Sequence, residues 1–180
     1  MIFFGFAAAL QAALPEWIWH DNKGAIQTNE TRFFRKIFKV ERNPSKARLS
    51  LAADDEAVVY LNGKEIARST GFDKATYEDV ASDIVTGENV LAVRGKNVAS
   101  DIAGVIVILE LQTSKNPKQV IMTDTTWVSS AKSEPDWEVQ SFPLNSCLQL
   151  KQLLNSLLLR LFYLECSSLR VSGNPRQNIR

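Results

Sequence analysis

Between Trp17 and Trp137 the apolar positions come in short runs that end at turn residues. Ala47-Arg-Leu-Ser-Leu-Ala-Ala53 alternates: Ala47, Leu49, Leu51 and Ala53 share one face, while Arg48 and Ser50 share the other. A period of two marks a strand with one face buried. Arg32-Phe-Phe-Arg-Lys-Ile-Phe-Lys-Val40 is rich in strand formers. Gly104-Val-Ile-Val-Ile-Leu-Glu-Leu111 is apolar almost throughout, as in a strand packed on both faces. Residues 56–61 and 64–67 flank Asn62-Gly63. Asn-Gly between two such runs predicts a hairpin, because a type I′ turn needs positive φ at both central positions. Shorter runs at 17–19, 76–80, 90–94, 120–123 and 126–128 complete the series. About eight to ten strands at this spacing predict an all-β, antiparallel sandwich or barrel.

The pattern changes near residue 146. Leu150, Leu153, Leu154, Leu157, Leu158, Leu161 and Leu164 recur at three- and four-residue spacing, which predicts an amphipathic helix over about 146–165. Charge changes there too. Residues 1–144 carry 16 Lys+Arg against 19 Asp+Glu, and residues 145–180 carry five against one. The break fits an appended helix or the product of a frameshift or truncated gene. Residues 166–180 have no core-forming pattern and are expected to be disordered.

At the other end, residues 1–13 form an uncharged apolar run closing on small side chains. It reads as a signal peptide lacking a basic leader, or as a buried first element of the domain. The first reading predicts a secreted or periplasmic protein. The run is too short for a membrane span, so no transmembrane segment is expected.

Overall composition narrows the function. Of the 180 residues, 45% are hydrophobic and 23% charged, an ordinary globular balance. A net charge of +1 gives no electrostatic case for nucleic acid. One histidine, His20, and two cysteines supply little for a transition-metal site or a nucleophilic centre. Asp54-Asp55-Glu56 is an acidic cluster, and Asn97, Ser100 and Asp101 fall in a stretch expected to be a loop. If Asp54, Asp55, Asn97 and Asp101 converge at one end of the sandwich, they offer oxygen ligands for calcium or hydrogen-bond pairs for sugar hydroxyls. Phe72 and Tyr77 are the candidate aromatic platforms. The competing structural reading has Asp54 and Asp55 capping backbone amides in a tight connection. Trp19 and Trp127 read as core anchors. Ser82 or Asp83 is expected to cap a short helical turn after Asp79-Val80.

Seven phrases stand in order: Trp17-Ile-Trp-His20, Phe34-Arg-Lys-Ile-Phe38, Ala52-Ala-Asp-Asp-Glu56, Tyr60-Leu-Asn-Gly-Lys64, Asp79-Val80, Gly87-Glu-Asn-Val-Leu-Ala-Val-Arg94 and Thr123-Asp-Thr-Thr-Trp127. Together they resemble the galactose-binding-like β-sandwich over residues 16–142, which narrows the expected fold to an antiparallel jelly-roll sandwich. The resemblance extends to the N-terminal domain of bacterial α-L-rhamnosidases and the sugar-binding domain of β-galactosidase and β-glucuronidase enzymes. It implies a non-catalytic, carbohydrate-binding-like accessory module, exported, with neighbouring domains missing from this chain. The alternative is a bracing module without sugar affinity. An autonomous glycosidase is disfavoured, because the catalytic acids of such enzymes lie in a separate domain.

Overall fold

The computed structural model describes residues 14–20, 26–99, 102–113 and 118–141, and the backbone of 148–149. Ten strands are present among them: β1 (Glu30–Val40), β2 (Lys46–Asp54), β3 (Glu56–Leu61), β4 (Lys64–Ser69), β5 (Thr76–Asp79), β6 (Gly87–Asn97), β7 (Gly104–Gln112), β8 (Gln119–Met122), β9 (Val128–Ser130) and β10 (Leu148–Gln149). They form two antiparallel sheets, one of six strands in the order β10-β9-β1-β6-β3-β4 and one of four in the order β5-β2-β7-β8. The chain is therefore the expected all-β, antiparallel sandwich.

The alternation read from the sequence sets the two inner faces. In β2, Ala47, Leu49, Leu51 and Ala53 are buried, and β7 meets them in register with Leu111, Leu109, Val107 and Val105. From the other sheet come Phe34 of β1 paired with Val93 of β6, and Val59 of β3 paired with that same Val93. Trp19 and Trp127 are buried in this core, as the sequence predicts. Trp19 enters because Ile18 makes an isolated bridge to Val105, laying its segment along β7. Gly95 makes room for it: a Cβ at that position would meet the Trp19 ring at 2.8 Å. Such a contact is sterically forbidden, so the indole depends on the missing side chain.

The Asn-Gly hairpin forms as predicted, with φ of 53° at Asn62 and 87° at Gly63. Its side-chain chemistry reaches further than the turn. Asn62 Oδ1 accepts the Val90 amide at 2.8 Å, and Asn62 Nδ2 donates to Asn89 Oδ1 at 2.9 Å. Buried Asn89 also accepts the Val85 amide at 3.0 Å and donates to the Val85 carbonyl at 2.7 Å. Two turns distant in sequence thus satisfy each other's polar groups, as burial requires.

The outer face of the six-stranded sheet is covered by residues 131–141. Trp137 packs edge-on against Phe33 and Tyr60, with centroids 5.1 and 5.8 Å apart. Arg35, buried in mid-sheet, donates from Nη2 to the Val139 carbonyl at 2.8 Å. This segment acts as a strap running from β9 to the β3–β4 turn.

Three expectations are corrected. Residues 94–97 are not a loop but the end of β6, paired with residues 30–33 of β1. The helical turn at 81–83 is capped by neither Ser82 nor Asp83; Asp79 Oδ1 accepts the Ala81 amide at 3.1 Å, because the carboxylate two residues upstream reaches it directly. The helix expected from 146 does not begin there, since Leu148 and Gln149 pair with Ser129 and Val128 of β9. Edge pairing satisfies backbone groups that the open side of β9 would otherwise expose. The remainder of the 146–165 call, the signal peptide at 1–13 and the disordered 166–180 lie outside the described residues.

Candidate functional site

The candidate site is the end of the sandwich where β2 turns into β3. Asp54 closes β2 and Glu56 opens β3, so the acidic cluster is the connection itself. A cis peptide joins Asp54 to Asp55. Asp55 Oδ2 accepts the amides of Val98 and Ala99 at 2.6 and 2.9 Å. These amides follow directly on β6, whose residues 91–96 pair with all six residues of β3. The carboxylate therefore ties the β2–β3 turn to the start of the β6–β7 connection. Partial burial pushes the Asp55 carboxyl up, but the Ala99 and Val98 amides, joined by a hydrogen bond with Asp54, outweigh it and hold the group below its ordinary 3.8. The capping role expected of the aspartate pair is present at Asp55, across 43 residues rather than within the local turn. Lys96 and Glu56 flank the site at 3.9 Å, an exposed pair of little energetic weight.

Of the four residues singled out from the sequence, the three that are described do not share one surface. Asp54 and Asp55 stand at the turn. Asn97 is fully buried and points inward, paired in register with buried Glu30 of β1. Its Nδ2 donates to the Gln27 carbonyl at 2.9 Å. Among the described residues its Oδ1 accepts no hydrogen bond. The earlier placement of Asn97 on a solvent-facing loop is thus corrected: strand alternation turns its side chain into the sandwich, against the end of the core. Asp101 lies outside the described residues. Among the described residues no three His, Cys, Asp or Glu side chains gather closely enough to hold a metal ion. Asp54 and Asp55 alone do not make a calcium site, and one oxygen of Asp55 is already committed to two amides.

His20 Nδ1 lies 2.7 Å from Ser129 Oγ. Ser129 is buried on β9, so this pair secures the N-terminal segment to the sheet. Of the two candidate aromatics, Tyr77 is exposed, but it lies on the outer face of the four-stranded sheet. It pairs in register with Ser50, four positions from Asp54, or about 13 Å along the strand. Sequence reasoning missed its neighbour: the Arg48 guanidinium stacks 4.4 Å from the Tyr77 ring centroid. The alternation in β2 put Arg48 outward, but only strand order places β5 beside it.

No family model matches the chain. An α-L-rhamnosidase of Streptomyces avermitilis is 28% identical over 141 residues, 71% of this chain but 14% of that enzyme. The crystal structure of Streptomyces avermitilis α-L-rhamnosidase complexed with L-rhamnose superposes with a TM-score of 0.70 at 26% identity, over 77% of this chain and 14% of that one. A lectin from Pleurotus ostreatus, solved with GalNAc, gives a TM-score of 0.67 at 23% identity, over 76% of this chain and 42% of the lectin. A rhamnosidase of Bacillus sp. GL1 gives 0.64 at 19% identity, over 77% and 18%. The last two likenesses establish the shared sandwich fold. The chain is similar to one part of a glycoside hydrolase and spans a small fraction of its length.

Proposed function

We propose that this chain is a non-catalytic carbohydrate-binding module of a larger, exported protein, with its sugar contact at the Asp54–Asp55 end of the sandwich. The observation carrying this reading is the likeness, in sequence and in fold, to one small portion of a rhamnosidase solved with L-rhamnose. The geometry adds a physical reason. Asp55 rigidifies the turn through the Val98 and Ala99 amides, so Asp54 is presented on a fixed scaffold. Fixed acceptors lose less entropy on binding a sugar hydroxyl than mobile ones. Asp101, singled out with them in the sequence, would add a third carboxylate were calcium to bridge acids and sugar hydroxyls there.

The test is a thermal-shift titration of the full chain with L-rhamnose and with GalNAc, each with calcium and with chelator. Ligand held only by the folded state raises the melting temperature with the logarithm of its excess. Asp54→Ala is the diagnostic variant. Asn97→Ala is unsuitable, because truncating a buried amide costs stability by itself. A sugar-dependent rise lost in Asp54→Ala supports the reading. No shift with either sugar, with or without calcium, favours a bracing module instead.

A further inference from the structure

The two sheets differ in what covers their outer faces. The six-stranded sheet lies beneath the strap. On the four-stranded sheet Tyr77 is 45% exposed, with the Arg48 guanidinium carbon over its ring, 4.4 Å from the centroid. Arg48 is in register with Asp79 of β5 and Glu110 of β7, of which only Glu110 is in an ion pair. Glu110 Oε1 pairs with Lys118 Nζ at 2.5 Å, and Asp79 Oδ1 accepts the Ala81 amide. Among the described residues Arg48 makes no ion pair. Neither does Lys46, two positions earlier on the same face and about 7 Å away. Ser50, two positions later, presents a hydroxyl beside the Tyr77 ring.

We propose that this outer face, centred on Tyr77, Arg48 and Lys46, is a second binding surface, for acidic sugars of the uronate class. The proposal rests on the carbohydrate reading above but on a different part of the molecule. A guanidinium stacked on an aromatic ring is pre-oriented, and its outer edge accommodates a carboxylate through two parallel hydrogen bonds. Lys46 supplies a second cation along the strand. The exposed part of the Tyr77 ring suits the C–H side of a pyranose, and Ser50 suits a ring hydroxyl. Charge complementarity selects the ligand: Lys118 neutralises Glu110, so the two unpaired cations Arg48 and Lys46 outweigh the one remaining acid on this face, Asp79.

The test is calorimetric titration of the full chain with tetragalacturonate, its methyl ester and polyglutamate. Tetragalacturonate is expected to bind, more weakly as salt rises. The methyl ester keeps the rings and loses the charge, and should bind about tenfold more weakly. Arg48→Ala and Tyr77→Ala should each weaken the acidic sugar about tenfold while the melting temperature stays in place, since both are surface positions. Arg48→Lys should restore only part, because an ammonium cannot pair bidentately. Absence of tetragalacturonate binding, unchanged binding by Arg48→Ala, or equal binding of polyglutamate would each overturn the proposal. Loss of rhamnose and GalNAc responses with Arg48-dependent uronate binding retained would sink the Asp54–Asp55 site alone. The reverse pattern would sink this surface alone.

Discussion

Asp55 shows how one side chain can join segments that sequence keeps apart. Its carboxylate serves two backbone amides 43 and 44 residues away, and its pKa is held below 3.8. A depressed carboxyl contributes stability above its unfolded pKa, and that contribution is lost as pH falls through the folded value. Asp55→Asn should therefore melt below the native protein at pH 6. The gap should begin to narrow below about pH 4, the unfolded value, and close only once the pH passes below the depressed folded value, where the native carboxylate is neutral too. Melting curves between pH 2.5 and 6 measure it; a constant gap would mean that charge on Asp55 does not support the turn. Asn97, by contrast, looks like a binding residue in the sequence and serves as an interior plug. Amide side chains at strand ends can do either, and the letter does not distinguish them.

Among the elements, the β3–β4 hairpin and the strap depend on each other. Gly63 adopts φ of 87°, and a Cβ there would approach Val139 Cγ1 to 2.7 Å. Two penalties therefore coincide on one substitution. A β-branched residue resists positive φ, and its side chain displaces the strap. Gly63→Val should cost about 1 kcal/mol or more. Denaturant unfolding should show the midpoint falling, and hydrogen exchange should quicken at residues 137–140 as well as in the turn. A change confined to the turn would show that strap and hairpin are uncoupled. The Asn62–Asn89 pair adds a second tie at the same corner, linking the hairpin to the entry of β6.

For the whole molecule, the sandwich is complete only with residues 131–141 in place. Arg35 and Ala92 are buried on the outward side of their strands, and Trp137 lies over Phe33 and Tyr60. A chain ending at residue 130 would expose this mixed aromatic face, and exposed apolar patches drive association. Chains ending at 130 and at 141 should differ sharply. The longer should stay monomeric with a β-type far-ultraviolet spectrum, and the shorter should bind a hydrophobic dye and self-associate in sedimentation. Equal behaviour would show that the strap adds nothing to the fold. No helix among the described residues is long and apolar enough to cross a membrane.

Local rules were enough for much of this molecule. The period-two pattern of Ala47, Leu49, Leu51 and Ala53 determined which face of β2 is buried, because successive side chains must point to opposite sides. Asn62-Gly63 determined its turn, because few residues tolerate positive φ. Trp19 and Trp127 were legible as core because of their apolar size. The candidate site was only half legible: the acidic pair was found, but not what it binds to. Which strands neighbour one another decided that Asp55 reaches Val98, that Asn97 faces inward opposite Glu30, and that Arg48 stacks on Tyr77. These contacts join residues 29 to 67 apart in sequence, and no local periodicity encodes such partners. They arise only when burial of both sheets' apolar faces fixes the order and register of the strands.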